Sequence, residues 1–510
     1  MSEFLRAPEL TVAAGADFSI PSAYLGKGKN FPQNFQLYRG EMKKRLGRSV
    51  IGGIMLGGQK VLHLDVFTTT GAVERLIRHS KQNVERFVAA SQAWEDITGV
   101  DLSGAETDFI QSCVVTENDL YVFTNNIINA IRKYTDSGTT SDLGGNPPKC
   151  RTLDYLSPYL LIGNVLDGGN SYPQKVQWCD TGQPEVWSGG NSGSVLLADE
   201  PSHIKRIKKL IDYAFVYKEK SVYRGRKVST SAIFEFGGPF ADGKGIYSPR
   251  AIAGDGSNDY YMGLFDFHKN NAVRISDFGA PVREYIFNRI NRERSDTCFA
   301  IHVAEFKEIW FFITIAGYDW PTEVWKYNYD IDFWYFDTVV NCITAAIYKQ
   351  TVDLTWDTDF GTWDEDVTFW DEQQGLSGAP FPVLGYADGM VDYMAANTVD
   401  DRGAAVDARI DTKDYTGLVH RGIEYDTEWM QFSIWCRGRG SVKLWYSIDE
   451  GSNWVFIAEK DLTLETKKLD FYFHFIAPKA RWRIQTDRAG EYLMIRNFTP
   501  YFRDNPEMLT

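Results

Sequence analysis

The chain contains side chains that could support nucleophilic catalysis, but not at the spacing of a known hydrolase. A serine on a tight turn becomes a nucleophile when a nearby histidine accepts its proton, and Ser192 and Ser194 lie in such a Gly-rich turn. The G-x-S-x-G spacing of a nucleophile elbow is absent, and none of the seven histidines stands in a catalytic motif. We therefore expect no hydrolytic serine and predict that the protein is not an enzyme.

No cofactor or metal site is predicted. The glycine pairs Gly52-Gly53 and Gly57-Gly58 do not continue into a P-loop or a dinucleotide fingerprint. The carboxylates of segment 364–366 could bind Ca²⁺, but the D-x-D-x-D-G spacing is missing and solvation is the preferred interpretation. The six cysteines contain no C-x-x-C pair, so we expect buried free thiols.

Two further motifs are open to a structural or a binding interpretation. Segment 447–454 matches S-x-D-x-G-x-x-W, the Asp-box hairpin, in which the Asp caps backbone N–H groups and the Gly supplies a positive φ. This motif stabilises a hairpin and performs no chemistry itself. The basic run Lys205–Lys209 is expected to be a solvated or interface edge, although it could also contact a phosphate.

The composition predicts an all-β protein. Trp 15, Tyr 27 and Phe 32 make up 15% of the 510 residues, and their rings pack well on pleated sheets. The net charge of −14 argues against a protein that grips nucleic-acid phosphates over a broad face. The chain has neither an apolar run of about 18 residues nor a basic-then-apolar leader, so we expect no membrane-spanning segment and synthesis in a cytoplasm.

A strand-turn-strand unit recurs along the chain. The seven copies are Arg75–Arg78 with Asn83–Phe87, Asp119–Phe123 with Ile131–Tyr134, Pro158–Ile162 with Lys175–Trp178, Asp212–Tyr217 with Ser221–Arg224, Asp259–Met262 with Ala272–Ile275, Glu308–Phe312 with Glu323–Tyr327, and Val383–Tyr386 with Met390–Tyr393. The first six copies are spaced roughly 40 to 55 residues apart, close to the period of a four-stranded propeller blade, and the acidic insertion separates the sixth copy from the seventh. We predict a β-propeller of six to eight blades over residues 55–396; unrelated hairpins in two sandwiches remain the alternative.

Docking elements are predicted on either side of the repeats and within them. Residues 1–54 form a Gly-rich basic arm, and residues 397–510 alternate like a C-terminal β-sandwich. An acidic insertion at 353–380 carries Trp-Asp pairs seven residues apart, which could either form a contact surface or pack inward. The predicted interface residues are Lys27, Lys29, Lys43, Lys44, Arg45, Trp356, Trp363 and Trp370.

Several segments resemble the tail hub or nozzle (tail tubular) proteins of tailed bacteriophages, most closely those of short-tailed phages. The segments are the strand pair at 213–225, the blade at 176–180 with 185–187, the blade end at 94–98 and the hairpin at 384–389. The likeness covers about residues 30–400 and rests on short structural motifs. The Trp-Asp insertion and the Asp-box depart from the family's pattern and leave the tail component open.

The resemblance implies a structural virion protein of the viral tail. It implies an oligomeric ring, commonly of six copies, below the head-to-tail adaptor and portal, which forms part of the genome ejection conduit and docks tail fibres or spikes. Double-stranded DNA would pass without specific binding, and acidic loops facing the lumen would repel its phosphates. The alternative is a glycan-binding or glycan-hydrolysing β-propeller, supported by the surplus Trp and the Asp-box.

Overall fold

Antiparallel strands make up most of the regular structure, and the protein is all-β. The computed structural model describes residues 5–6, 10–11, 30–38, 40–228, 233–349, 380–395, 398–416, 419–420, 423–424 and 426–504. Within these ranges the helical elements are one short helix, α1 (Arg283–Phe287), and the 3₁₀ turns Leu56–Gly58, Thr116–Asn118, Arg292–Thr297 and Ala304–Phe306.

Seven antiparallel sheets, each built from strands that follow one another in the chain, occupy the described part of residues 63–395. Sheet 1 consists of β7 (His63–Thr68), β8 (Glu74–His79), β9 (Val84–Val88) and β10 (Ala93–Asp96), and sheet 2 of β11 (Gln111–Val115), β12 (Leu120–Thr124), β13 (Arg132–Tyr134) and β14 (Ser141–Asp142). Sheet 3 consists of β15 (Lys149–Leu156), β16 (Tyr159–Asp167), β17 (Asn170–Trp178) and β18 (Gly193–Leu196). Sheet 4 consists of β19 (Ile204–Leu210), β20 (Tyr213–Lys218), β21 (Ser221–Lys227), β22 (Phe234–Phe236) and β23 (Ala241–Asp242). Sheet 5 consists of β24 (Ile252–Gly254), β25 (Asp259–Met262), β26 (Phe267–Asn270) and β27 (Ile275–Asp277). Sheet 6 consists of β28 (Phe299–Val303), β29 (Glu308–Ile313), β30 (Glu323–Asn328) and β31 (Phe333–Thr338). Sheet 7 consists of β32 (Cys342–Lys349), β33 (Pro380–Tyr386) and β34 (Val391–Ala395).

Consecutive sheets pack face to face through shared hydrophobic cores. Each sheet from 1 to 6 shares a core with the next one. Sheet 7 in turn shares a core with sheet 1, to which Leu64, Leu76 and Val383 belong. The first strands of the sheets lie towards the inside, where β7 contacts both β11 and β32. The last of these sheets therefore packs against the first.

The N-terminal strands join the two ends of the molecule. They are β1 (Leu5–Arg6), β2 (Leu10–Thr11), β3 (Asn30–Gln33), β4 (Phe35–Tyr38), β5 (Glu41–Lys44) and β6 (Gly47–Val50). Strand β6 pairs with β34 and completes sheet 7. Strand β3 pairs with β31 of sheet 6 on one side and with the C-terminal strand Ala408–Thr412 on the other. Sheet 6 consequently continues into the C-terminal part without a break.

Most of the C-terminal strands form two sheets around one core, which we call the C-terminal unit, whereas Val419–His420 and Ile423–Glu424 pair in a separate two-stranded sheet. The C-terminal strands are β35 (Ala408–Thr412), β36 (Tyr415–Thr416), β37 (Val419–His420), β38 (Ile423–Glu424), β39 (Thr427–Arg439), β40 (Ser441–Ser447), β41 (Val455–Asp461), β42 (Lys467–Ala477), β43 (Lys479–Thr486) and β44 (Tyr492–Asp504). One sheet has the order β4-β5-β44-β39-β42, and the other continues from β3 through β35, β43, β40 and β41. Trp429, Phe432 and Trp482 are fully buried between them, with ring centroids 4.9 to 5.2 Å apart across the two sheets.

The predicted hairpins match the central strands of the sheets at all but one position. Copies one to four, six and seven pair as expected. In the fifth copy, β25 pairs with Phe267–Asn270 and not with the predicted Ala272–Ile275. Asn271 explains the difference, because its side chain accepts hydrogen bonds from the N–H groups of Val273 and Arg274 and forms a turn where a strand was expected.

Candidate functional site

Three predicted interface residues are buried inside the protein, so Glu41–Lys44 and Gly47–Val50, within the predicted basic arm 1–54, are internal strands and not a docking arm. Lys43 lies 5% exposed with its Nζ over the rings of Tyr38 and Tyr492, and Lys44 is fully buried. The Lys44 Nζ donates to the carbonyl oxygen of Glu491 at 2.9 Å, and burial lowers the pKa of Lys44. These basic side chains are used within the chain because β5 pairs with β44 of the C-terminal unit.

Arg45 holds a buried group of charges between sheet 6, sheet 7 and the C-terminal unit. Its guanidinium forms a bidentate pair with Asp401 and lies 3.7 Å from the carboxylate of Asp337. Arg48, three residues further along the chain, lies 3.6 Å from the same Asp401 carboxylate. Burial opposes ionisation of Asp401, but Arg48 and Arg45 outweigh it and hold the pKa of Asp401 below its ordinary value. We call these four residues the junction cluster.

A second buried pair extends the junction cluster into sheet 6. Lys326 Nζ lies 2.5 Å from Asp337 Oδ2, and both side chains are about 1% exposed. The same ammonium lies 4.0 Å from the ring centroid of Trp310, whose Nε1 donates to Glu308 at 2.7 Å. Burial lowers the pKa of Lys326 and raises that of Glu308. These charges link three adjacent strands of sheet 6, and Asp337 connects them to Arg45 of the junction cluster.

The remaining predicted interface residues lie outside the described residues. They are Lys27, Lys29, Trp356, Trp363 and Trp370, and the acidic insertion that contains the three tryptophans falls largely within 350–379. Their role as a contact surface stays a prediction. Sequence reasoning missed Arg48, Asp337 and Asp401 because their partners are far away in the chain. The only signal was charged residues at inward positions of otherwise apolar strands, such as Lys326 in β30.

The Asp-box forms the hairpin expected of it. The Asp449 carboxylate accepts hydrogen bonds from the Asn453 N–H at 2.9 Å and from the Ser447 hydroxyl at 2.7 Å, and Gly451 has a φ of +89°. These bonds lower the pKa of Asp449 to about 2. Trp454 packs against the guanidinium of Arg483, 4.0 Å from its ring centroid. The motif is therefore a structural turn of the C-terminal unit.

A cavity of about 210 Å³ lies where the first strands of the sheets come together, and we call it the central cavity. It is lined by His63, Leu64, Asp65, Ile110, Gln111, Ser112, Arg206, Pro249, Arg250, Ile252, Phe299, Ala300, Thr344 and Ala345. A neighbouring cavity of about 530 Å³ shares Gln111 and Pro249 with it. Side chains from sheets 1, 2, 4, 5, 6 and 7 therefore face one small space.

The central cavity contains Ser, His and Asp in contact, but in an order unlike that of a serine hydrolase. Ser112 donates its hydroxyl proton to the Asp65 carboxylate, and His63 Nε2 lies 2.7 Å from the Ser112 oxygen. The imidazole must then donate to the serine, whereas a hydrolase needs it to accept the serine proton. Burial, His79 and two arginines hold the pKa of His63 well below its usual value. Ser192, the serine singled out in the sequence, donates to the carbonyl oxygen of Gly189.

All six cysteines are buried free thiols, as predicted. In the described ranges, no group of three His, Cys, Asp or Glu side chains is placed to hold a metal ion. None of the helices in the same ranges has the length and apolar character needed to cross a membrane.

The fold defines the class of the protein as all-β, with successive antiparallel sheets joined to a two-sheet C-terminal unit. No protein-family model and no curated protein matches the chain. Among solved structures, PorZ, a surface component of the type-IX secretion system of Porphyromonas gingivalis, aligns over 81% of this chain with 10% identity and a TM-score of 0.35. The chain spans about half the length of PorZ, 46% of it.

Two other solved structures align with the chain. An auxiliary nutrient binding protein from Bacteroides thetaiotaomicron aligns over 69% of this chain and 77% of its own, with 10% identity and a TM-score of 0.37. A functionally unknown protein from Desulfotomaculum acetoxidans aligns over 42% and 70%, with 14% identity and a TM-score of 0.29. Alignments at these TM-scores and identities transfer neither a detailed fold nor a function to this chain.

Proposed function

We propose that the protein is a non-enzymatic structural protein of a bacteriophage tail, a hub or nozzle ring below the head-to-tail adaptor. The observation that carries the proposal is the way residues 30–50 tie the molecule together. Strand β6 completes sheet 7, β5 pairs with β44, and β3 joins sheet 6 to the C-terminal unit. The buried junction cluster fixes the same contact. A rigid body of this kind suits a ring subunit that must hold its shape while a genome passes.

In this proposal the seven sheets are the blades of a seven-bladed β-propeller, and the C-terminal unit is a β-sandwich. The closed succession of shared cores supports the propeller, because blades of a ring protect their edges by packing on one another. The strand β6, contributed from the N-terminal side to the last sheet, supports ring closure. The two sheets that enclose Trp429 and Trp482 support the sandwich.

The assembled form is proposed to be a hexameric ring in the virion, with adaptor, portal and fibre or spike proteins as neighbours. The net charge of −14 supports a lumen that DNA crosses without being bound, because acidic walls repel phosphates. The acidic Trp-Asp insertion is proposed to face the lumen or a neighbouring tail protein. Neutralising its carboxylates is then expected to slow DNA ejection, and unchanged ejection would count against a conduit.

The decisive test is to count copies of this chain in density-banded phage particles by quantitative mass spectrometry with isotope-labelled peptides. The portal protein of the same particles is the internal standard. About six or about twelve copies per portal ring are expected for a closed cyclic assembly. Absence from the particles would overturn the proposal and favour the glycan-binding alternative. In that case Trp356→Ala and Trp363→Ala should abolish binding on glycan arrays.

A further inference from the structure

The central cavity contains a cationic side chain that, among the described residues, forms no ion pair at contact distance. Arg206 lies in β19 between Lys205 and Lys208, which pair with Asp296 at 3.3 Å and with Asp259 at 3.1 Å. Within the described ranges, the Arg206 guanidinium forms neither an ion pair nor a hydrogen bond, and its Nε is buried without a partner. A guanidinium that loses water on burial needs a replacement for those hydrogen bonds. Of Lys205, Arg206 and Lys208, Arg206 is thus the residue whose N–H groups remain available to a ligand.

A second arginine adds positive charge to the same wall. The Arg250 guanidinium donates to the carbonyl oxygens of Leu62, Ile343 and Thr297 at 3.1 to 3.3 Å. It also lies 4.0 Å from the ring centroid of Phe109. Burial lowers the pKa of Arg250 to about 10, so it is still charged at neutral pH. The surrounding carbonyls fix this charge in place, and no carboxylate pairs with it among the described residues.

The one carboxylate that lines the central cavity is already engaged. Asp65 accepts hydrogen bonds from the Ser112 hydroxyl and from the Val66 N–H. Burial raises the pKa of Asp65 more than these two hydrogen bonds and the field of Arg206 lower it. His63 is held neutral, as described above. Arg206 and Arg250 therefore leave the cavity with a positive balance inside a chain of net charge −14.

Gln111 adds an uncharged polar side chain to the lining of the same cavity. Gln111 is 3% exposed, and its Oε1 is buried without a hydrogen-bond partner. Its amide lines both the central cavity and the larger neighbouring cavity. The 210 Å³ of the central cavity is several times the roughly 30 Å³ occupied by one water, so there is room for a small ion with its solvation.

We propose that the central cavity binds a tetrahedral oxyanion of the phosphate class, held by the forked N–H donors of Arg206, with the unpartnered Gln111 Oε1 accepting a hydrogen bond from a P–OH group of the anion. The planar guanidinium matches two oxygens of such an anion, and the field of Arg250 adds attraction without a direct contact. The anion can be free phosphate or the phosphate group of an ester whose organic part enters the neighbouring cavity. The site is independent of the tail proposal, since it uses side chains of a single chain.

Isothermal titration calorimetry of the full chain tests the proposal, with inorganic phosphate and glycerol phosphate as probes. Chloride at matched ionic strength is the blank. Wild-type protein is expected to bind phosphate, and Arg206→Gln to bind it at least about tenfold more weakly, because a charge-assisted bidentate contact is lost. The matched control is Arg226→Gln, an exposed arginine paired with Glu235, which should bind like wild type. Tighter binding of the ester than of phosphate identifies an ester as the ligand.

The outcome that overturns the proposal is wild-type heat no greater than that of chloride, or equal affinity in wild type and Arg206→Gln. Because Arg206 has no partner in the described structure, Arg206→Gln should fold, which circular dichroism will verify. If it does not fold, Arg206→Lys provides the second variant. Arg206→Lys keeps the positive charge but loses the planar guanidinium that can donate to two oxygens at once, so weaker phosphate binding than wild type is expected. Unchanged binding would also overturn the proposal.

Discussion

Arg45 and Asp401, 356 positions apart in the chain, form a bidentate ion pair. Nη1 donates to Oδ1 at 2.8 Å and Nη2 donates to Oδ2 at 2.5 Å. Arg45 is 2% exposed, so water does not solvate its guanidinium. The pair fastens the N-terminal strands to the loop that leads from sheet 7 into the C-terminal unit. Its loss should therefore affect the whole molecule.

Arg45→Met is expected to lower the free energy of unfolding by about 3 kcal/mol, because the Asp401 and Asp337 carboxylates each lose one of their two cationic partners and keep only Arg48 and Lys326. Urea denaturation followed by tryptophan fluorescence measures the change. The control is Arg226→Met, whose pair with Glu235 is more than half exposed on both sides and should contribute about 0–1 kcal/mol. Equal losses in the two variants would show that the junction cluster does not hold the units together.

Gly47→Ala is expected to destabilise the closure of sheet 7. An added Cβ at Gly47 would lie 2.3 Å from the backbone oxygen of Asp400, so one of two paired backbones must move. Such overpacking typically costs about 1–3 kcal/mol. Gly53→Ala is the matched control, since its Cβ would meet no atom within 4 Å. Chemical denaturation of both variants measures the difference, and similar midpoints would contradict the close approach.

His79 is expected to make the protein less stable in mild acid. It is fully buried against Tyr121 and Phe123, and burial lowers its pKa to about 3. The unfolded chain takes up this proton near pH 6.5 and the folded chain does not. The stabilisation is therefore complete above about pH 6.5 and falls by about 1.4 kcal/mol per pH unit as the pH drops towards 3.

The comparison of wild type with His79→Gln isolates this effect, because all other titrating groups are common to both proteins. The free energy of unfolding, measured in urea between pH 7 and pH 5, should depend less steeply on pH in the variant. Gln can still donate to the Tyr121 hydroxyl, so the variant should fold. Identical slopes in the two proteins would refute the assignment.

Asp449→Ala is expected to lower the thermal midpoint of the C-terminal unit, since the Asn453 N–H and the Ser447 hydroxyl lose their acceptor. The Asp449 pKa of about 2 is depressed, so its stabilisation is present above about pH 4 and is lost as the pH falls through 2. Ser452→Ala, in the same turn but with only a backbone contact to Asp449, is the control. Calorimetry at pH 7 should separate the variants, and equal midpoints would argue against a structural Asp-box.

The strands and most hairpins could be predicted from the sequence because their signals are local. Alternating aromatic positions and short turns lie next to the residues that pair, as in Glu308–Phe312 with Glu323–Tyr327. The failure at Ala272–Ile275 arose from a turn signal, Asn271, inside an apolar run. Buried thiols and the Asp-box turn were likewise predicted, because each depends on composition or on a short segment.

Only the tertiary structure decided where the basic N-terminal residues go and which charges meet. A Gly-rich basic segment has the same composition whether it forms a free arm or an internal strand, and what distinguishes them is pairing with β34 and β44, several hundred residues away. The junction cluster and the central cavity depend on the same long-range contacts. By itself the sequence determined the all-β class and the repeated hairpins, since strand pairing within a hairpin is local. The packing of the last sheet on the first and the placement of the buried charges required the folded chain, because the residues that specify them are neighbours only in space.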